Sequence, residues 1–372
     1  VYKLRVASVA LDASLWDEPT TGIALYTRQL AAALGTEGIE VERWGAARSG
    51  EVPRRGASRT GWTLGALPAL LEDRRPRLFH AVSNFNLPLQ RVPGVPTVLT
   101  VHDLVPLLLP DTVSAAFRWQ FRAWLTRSLA VADQVICVSE VARRSVLERF
   151  EVAPSKLTVI HHGVDHIDRV PPPDATTEAW IDALGLTSPW VLYAGALDAR
   201  KNVELVLDAV GRLNDGGRRV SLVLAGQRWF GAGRIEQRVL ALKARGVDVR
   251  PLGYLDERVF YALMRRAGVF VFPSRYEGFG LPPLEAMHLG VPTVVSTEGS
   301  LPEVCGDGAL QVHPDDTASL AARLDDLLGS DALRARWAQR ARAQAARYRW
   351  ASTAAATAEV YARAAPPAAR AS

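Results

Sequence analysis

The 372-residue chain is poor in lysine, cysteine and methionine, and it has no long apolar run. Only four of its 44 basic residues are lysine: Lys3, Lys156, Lys201 and Lys243. A lysine close to a glycine-containing loop therefore stands out. The two cysteines, Cys137 and Cys305, lie far apart beside apolar residues. That excludes a disulfide framework or a zinc-ribbon spacing and predicts buried free thiols. The dipeptide Gly-Lys is absent, which removes a P-loop. No G-x-G-x-x-G follows a strand-like segment; Gly231-Ala232-Gly233 has Glu236 where the third glycine belongs. Neither H-E-x-x-H nor G-x-S-x-G occurs. Phosphate-loop kinases, simple dehydrogenases, zincins and α/β-hydrolases thus lose their main support. The longest apolar run, Pro96 to Pro110, contains His102 and Asp103 and is too short to span a bilayer. Val1-Tyr2-Lys3 runs straight into a strand-like segment, so no signal peptide and a cytoplasmic location are expected.

What is present is globular: 48% apolar and 22% charged residues. A chain of this length is expected to form two or three domains. The net charge of +5 is scattered over short runs such as Arg54-Arg55, Arg74-Arg75 and Arg143-Arg144. That pattern argues against a nucleic-acid partner. It suits an anionic ligand or an anionic membrane surface. The dominant rhythm is strand, helix, strand. Leu4 to Asp12, Leu78 to Val82, Thr97 to Val101 and Gln134 to Val138 read as strands. Gly22 to Leu34, Ser114 to Val131 and Glu140 to Phe150 read as helices between them. Continuous apolar strands alternating with helices predict a parallel sheet covered on both faces. Three prolines at 171–173 break the rhythm, and residues 169–186 read as a linker. The rhythm then restarts over 187–348. Two doubly wound parallel-sheet α/β domains follow, 1–168 and 187–348, with ligands expected at the carboxyl ends of the strands, in a cleft between them. Leu333 to Ala365 reads as helical, and the residues after it as a disordered tail.

The most informative segment is Phe272 to Ser296, FPSRYEGFGLPPLEAMHLGVPTVVS. A buried strand ends at Pro273 and a polar turn carries Glu277. Gly278-Phe279-Gly280 then leads into a helix with Pro282 and Pro283 in its first turn, where proline belongs. Such a helix start offers free N–H groups and a positive dipole end, an anion site suited to phosphate. Glu277 and Glu285, eight apart, can face one cleft and accept hydrogen bonds from sugar or ribose hydroxyls.

This segment resembles the E-x7-E signature of the retaining glycosyltransferases of family 4, in its E-G-F-G-L-P-x-x-E form. The resemblance covers nearly the whole chain. Tyr193-Ala-Gly195-Ala-Leu-Asp-Ala-Arg200-Lys201-Asn202 is similar to the family's donor-domain strand and loop. Val101-His102-Asp103-Leu104 is similar to its first-domain H-D loop, Gly22-Ile23 to its first glycine loop, and Leu301-Pro302-Glu303-Val304 to its L-P-E-V segment. The resemblance implies the GT-B fold: two Rossmann-like domains facing a central cleft, with a C-terminal helix, about 349–365, crossing back to the first domain.

It also implies roles. Glu285 binds the ribose, and Glu277 sits by the donor sugar. The backbone of Phe279, Gly280 and Leu281 contacts the sugar and β-phosphate. Lys201 holds the diphosphate with Arg200 as helper, and His102 lies near the anomeric carbon. Gly22 and Gly195 belong to the ligand-facing loops, and the backbone near Leu255 contacts the base. The implied catalytic set is His102, Glu277, Lys201 and Arg200, with no metal and no cofactor. The donor is a nucleotide diphosphate-sugar, GDP- or UDP-linked, and the acceptor bears a hydroxyl. Two positions depart from the family pattern. Ala196 stands where many members have arginine after the glycine, and His162 stands where asparagine is usual.

His161 to His166 resembles a metal cluster only superficially, because glycine and nearby prolines speak against a helix there. Trp16 could stack on a sugar. The arginine- and tryptophan-containing helix Phe117 to Leu129 could rest on an anionic membrane, although covering its own sheet is the simpler reading. Two alternatives stay open: a sugar-nucleotide isomerase or hydrolase on the same fold, and a partner subunit without turnover of its own. Bacterial polysaccharide assembly and natural-product tailoring both fit, and the oligomeric state is unread.

Overall fold

The computed structural model describes residues 7–18, 21–47, 50–53, 58–228 and 232–365. Leu4 at the expected first strand, Gly231 of the glycine pair and the tail after 365 lie outside them. The chain divides into two compact units, Val1–Gly163 with Arg349–Ser372, and Val164–Tyr348.

The first unit holds six parallel strands: β1 (Ser8–Asp12), β2 (Glu40–Trp44), β3 (Phe79–Ala81), β4 (Thr97–Val101), β5 (Gln134–Cys137) and β6 (Leu157–Val159). Their order is β2-β1-β3-β4-β5-β6. The second holds β7 (Val191–Ala194), β8 (Ser221–Ala225), β9 (Asp248–Gly253), β10 (Val269–Phe272), β11 (Thr293–Ser296) and β12 (Leu310–Val312). Their order is β12-β11-β10-β7-β8-β9, again all parallel. Every residue of β4, β8 and β10 is buried, as expected where helices cover both faces. In the first unit one face packs Trp44, Phe79, Leu99, Phe121 and Leu125. The other packs Tyr26, Leu30 and Ile136 against Trp350, Ala354 and Tyr361 of the C-terminal helix Trp350–Ala364.

Each sheet has one place where the strand order reverses, between β1 and β3 and between β7 and β10. Open α/β sheets leave a crevice there, beyond the carboxyl ends of the strands. Asp12 ends β1, and Asn84 and Asn86 follow β3. Gly195 follows β7, and Glu277 follows β10.

One expectation is corrected. Residues 169–186 are not a linker. Pro171 to Pro173 lead to Asp174, whose carboxylate accepts the Thr177 N–H (2.8 Å) and opens the helix Ala175–Ala183. That helix belongs to the second unit, where Arg258 pairs with Asp174 (2.9 Å) and Arg266 with Glu178 (2.9 Å) and Asp182 (2.5 Å). Proline forbids a helix interior but suits the approach to a helix start. Leu333 to Ala365 is helical as expected, in two helices, Asp331–Ala345 and Trp350–Ala364, the second matching the helix expected at about 349–365. Finally, β2, β6 and β12 escape an apolar-run reading. β2 is the charged edge sequence EVERW, and β6 and β12 have three residues each.

Candidate active site

The second unit gathers most of the predicted residues at its switch point. β7 leads into Gly195, whose φ of +149° favours glycine. A Cβ on Gly226, at the end of neighbouring β8, would lie 1.9 Å from the Gly195 carbonyl oxygen, so the two loops touch backbone to backbone. The loop after Gly195 turns on Asp198, whose carboxylate accepts the Lys201 N–H (2.8 Å). It ends at Asn202 in the left-handed region (φ +56°). The Asn202 amide donates to the carbonyls of Pro273 (3.2 Å) and Pro314 (2.7 Å), tying the loop to the end of β10.

Two cations thereby meet one carboxylate. Lys201 Nζ lies 2.7 Å and Arg200 Nη1 2.9 Å from Oε1 of Glu277, which is 9% exposed. Arg200 also donates to the Tyr276 carbonyl (2.9 Å), and the Lys201 ammonium lies 4.8 Å from the centre of the Phe272 ring. Burial alone would raise the Glu277 carboxyl. The Lys201 and Arg200 charges overcome it and hold the group at about 2. Burial pushes Lys201 downward, and Arg200 adds to that, while Glu277 opposes both. The cluster keeps one positive charge in excess.

Glu277 is held from behind by its backbone. Its carbonyl accepts from the Ser300 hydroxyl (3.0 Å) and N–H (3.1 Å), and the Ser300 hydroxyl also reaches the Phe279 carbonyl (2.8 Å). At Gly299 (φ +60°) a Cβ would stand 2.7 Å from the Glu277 nitrogen, so only glycine lets this loop lie against the turn. Gly280 (φ +96°) enters the helix Leu281–His288. Pro282 and Pro283 supply no donors, which leaves fewer free N–H groups than the helix start promised. Those of Gly280 and Leu281 make no hydrogen bond among the described residues.

Glu285, 5% exposed on the same helix, has a different environment. Tyr261 donates to its Oε1 (3.1 Å), and His166 Nε2 stands 3.1 Å from the Tyr261 hydroxyl and 3.4 Å from the same Oε1. Burial and the neighbouring Glu285 both raise the Tyr261 phenol, so it stays a donor. Oε2 takes no hydrogen bond among the described residues. Leu255 lies in the loop after β9, followed by Asp256. One oxygen of that carboxylate caps the next helix through the Val259 N–H (3.0 Å).

His102 and Gly22 belong to the first unit. His102 Nε2 donates to the Val82 carbonyl (2.8 Å), which fixes that nitrogen as the protonated one. Burial lowers the imidazole pKa despite Val82 and Asp103, so the ring is neutral at pH 7 with its Nδ1 lone pair free of hydrogen bonds among the described residues. The Asn84 amide clamps this loop, accepting the His102 N–H (3.3 Å) and donating to the Asp103 carbonyl (2.8 Å). Asn86 in turn donates to buried Asp12, whose carboxyl is raised by burial against the pull of Asn86 and Ser14. Gly22 begins the helix Gly22–Thr36, capped by the Thr21 hydroxyl (3.1 Å to the Ala24 N–H). A Cβ there would meet nothing within 4 Å. His162 packs against Tyr26 (4.6 Å between ring centres) in the first unit, while His166 belongs to the second. Among the described residues no three His, Cys, Asp or Glu side chains converge as a metal set. Tyr261, Ser300 and Gly299 were missed in the sequence, His166 was read only within a superficially metal-like run, and Asn202 only as part of the donor-domain loop. Only Asn202, next to the rare Lys201, carried a local signal.

Two family models match. Glycosyl transferases group 1 covers residues 175–344, and glycosyltransferase family 4 covers residues 20–167. The chain is 33% identical over 284 residues to O-antigen chain mannosyltransferase B of Escherichia coli, spanning 74% of this chain and 71% of that protein. The chain belongs to the group 1 glycosyltransferases of family 4. This glycosyltransferase is also 31% identical over 342 residues to a glycogen synthase of Mycobacterium tuberculosis, covering 88% and 76% of the two chains. Among solved structures it resembles Anabaena HepE in complex with UDP-glucose (TM-score 0.74, 18% identity, 95% and 98% of the chains). It also resembles the sucrose-phosphate synthase of Thermosynechococcus elongatus (TM-score 0.72, 21% identity, 95% and 98%). Its two six-stranded parallel sheets are those of the GT-B fold. No helix among the described residues is long and apolar enough to cross a membrane.

Proposed function

We propose that this glycosyltransferase takes a hexose, mannose-like in the first instance, from a nucleoside diphosphate and passes it to a hydroxyl acceptor with retention of configuration. The observation that carries this reading is the buried Lys201–Glu277–Arg200 cluster at the carboxyl ends of β7 and β10. A departing diphosphate gains negative charge in the transition state, and fixed cations in a water-poor pocket stabilise it. Lys201 and Arg200 supply those cations, and Glu277 keeps them aligned while accepting from a donor-sugar hydroxyl. The N–H groups of Gly280 and Leu281 face the sugar and β-phosphate, with Phe279 beside them. Oε2 of Glu285 takes the ribose, and Tyr261 and His166 hold its other oxygen. The backbone at Leu255 meets the base.

In this reading the acceptor oxygen bonds to the anomeric carbon on the face from which the diphosphate leaves. The carbon–oxygen bond to the diphosphate breaks, and the hydroxyl proton passes to the departing phosphate oxygen. Neutral His102 borders the sugar. Neither metal nor cofactor is assigned a role. The mannosyltransferase relatives support a mannose-like sugar, and the donor in this reading is GDP- or UDP-linked. A glycan of bacterial polysaccharide is the acceptor class these relatives suggest.

The test is a thermal-shift panel of UDP, GDP, ADP, CDP and dTDP on the wild type and on Glu285→Ala. A nucleotide at 100 times its dissociation constant adds about 2.7 kcal/mol. Stabilisation by one nucleotide, weakened in the variant, is expected. An identical response of wild type and variant to all five would overturn the assignment of Glu285.

A further inference from the structure

We propose that Tyr26 is a positioning residue for His102, pinned by a buried hydrogen-bond chain that begins on the C-terminal helix. The inference rests on the reading above that His102 borders the donor sugar. Among the described residues the His102 ring makes one hydrogen bond, from Nε2 to the Val82 carbonyl (2.8 Å). One bond fixes a corner of the ring and leaves its tilt open. The direction of the Nδ1 lone pair then depends on what packs against the ring. Tyr26 does so edge to face, with 5.0 Å between ring centres and planes at 84°. Tyr26 is itself packed against His162 (4.6 Å) and Trp350 (6.2 Å) in the same unit.

A phenyl ring would fill this space equally well. The Tyr26 hydroxyl adds a link to three other elements of the first unit. It lies 3.1 Å from Thr100 Oγ1 on β4. Thr100 Oγ1 lies 2.8 Å from His80 Nε2 on β3, and His80 Nδ1 lies 2.7 Å from the Tyr361 hydroxyl on the helix Trp350–Ala364. All four residues are at most 1% exposed. Burial keeps His80 neutral, so it donates through one nitrogen and accepts through the other, and each bond in the chain can hold a proton. Thr100 and His102 are two residues apart along β4 and its end, so both face the helix that carries Tyr26.

Tyr26 and Tyr361 otherwise lie in an apolar cluster with Leu30, Val98 and Ile136. Polar groups buried there cost free energy that apolar ones would not. What they add is direction, because a satisfied chain admits fewer arrangements than apolar packing does. That direction is delivered to the ring against His102.

The experiment is nitrogen NMR of the full chain labelled in its histidines, with His102 assigned from His102→Gln. The wild type should show one His102 tautomer, protonated at Nε2. An aromatic pair contributes roughly two- to tenfold to such a balance. In Tyr26→Leu the two ring nitrogens should therefore average. Tyr26→Phe and Thr100→Val keep the packing and cut the chain, so they should average partially; they also carry the test if Tyr26→Leu does not fold. Turnover is then read as nucleoside diphosphate released from GDP-mannose or UDP-glucose, with methyl α-mannoside as acceptor. Tyr26→Leu should lower kcat on the order of 10-fold, with KM within about twofold, as a misplaced group does. Leu34→Val, buried two turns along the same helix, is the structural control and should melt lower with kcat unchanged. A single fixed His102 tautomer in all three chain variants, or an equal fall of kcat in Leu34→Val, overturns the proposal. Wild-type turnover in His102→Ala overturns the role of His102 in the proposed function, and this proposal with it. The tautomer readout needs no substrate, so it separates a failure of positioning from a failure of that reading.

Discussion

Replacing Glu277 by glutamine tests the electrostatic design of the donor site. The change keeps shape and removes one charge. A carboxyl that titrates near 2 when folded and near 4.5 when unfolded stabilises the fold by about 3 kcal/mol, at about 1.4 kcal/mol per pH unit between them. Because the folded value is the lower one, this stability is complete above about pH 4.5 and is lost as pH falls through about 2. The substitution also leaves Lys201 and Arg200 buried without their counter-charge. Breaking such a pair costs roughly 3–5 kcal/mol. At about 2–4 °C per kcal/mol for a unit of this size, the midpoint of the Val164–Tyr348 unit should fall on the order of 10 °C. Two signatures separate this from ordinary damage. The variant should lose the Glu277 share of the acid slope below pH 4.5. It should also recover part of its stability when pyrophosphate or a nucleoside diphosphate returns negative charge to the pocket. Calorimetry across pH, with and without the anion, reads all three. A variant that melts with the wild type at neutral pH and loses stability in parallel with it in acid would refute the reasoning.

Three further outcomes follow. Tyr261→Phe removes the donor on Glu285 and should cost about 1 kcal/mol of stability and a few-fold in nucleotide affinity, read by calorimetric titration. Gly226→Ala places a Cβ 1.9 Å from the Gly195 carbonyl oxygen at a φ of +152°, so thermal unfolding should show a loss of several kcal/mol. In the first unit, burial holds His80 at about 3, between the Tyr361 and Thr100 hydroxyls at 2.7 and 2.8 Å. The unfolded histidine takes up its proton near 6.5, so stability is present above that pH and declines as pH falls from 6.5 towards 3. His80→Gln should flatten that decline in an acid titration of folding.

Legibility in the sequence tracked how local each feature is. The strand end, glycine turn and proline-led helix around Glu277 are contiguous, so one segment announced them. Lys201 stood out because lysine is scarce. The strand-helix alternation revealed two doubly wound sheets mainly through their central strands, such as β4, β8 and β10, which are buried along their whole length. The exposed edge strand β2 and the short β6 and β12 lack that signature. The prolines at 171–173 were misread because proline excludes a helix interior but not a helix start, and Asp174 three residues before Thr177 already held the capping pattern.

The two glutamates show the limit most sharply. Counted along the chain, they are an equivalent pair of acids around one helix start. In the folded unit, Glu277 meets two cations delivered by the loop after β7, and Glu285 meets a phenol from the helix Glu257–Arg266 and an imidazole from residue 166. The first environment fixes a charge and aligns the groups that would meet a diphosphate. The second leaves one carboxylate oxygen without a hydrogen bond among the described residues, as the proposed hydroxyl recognition needs. The division of labour between them comes from partners distant in sequence, and spacing alone carries none of it.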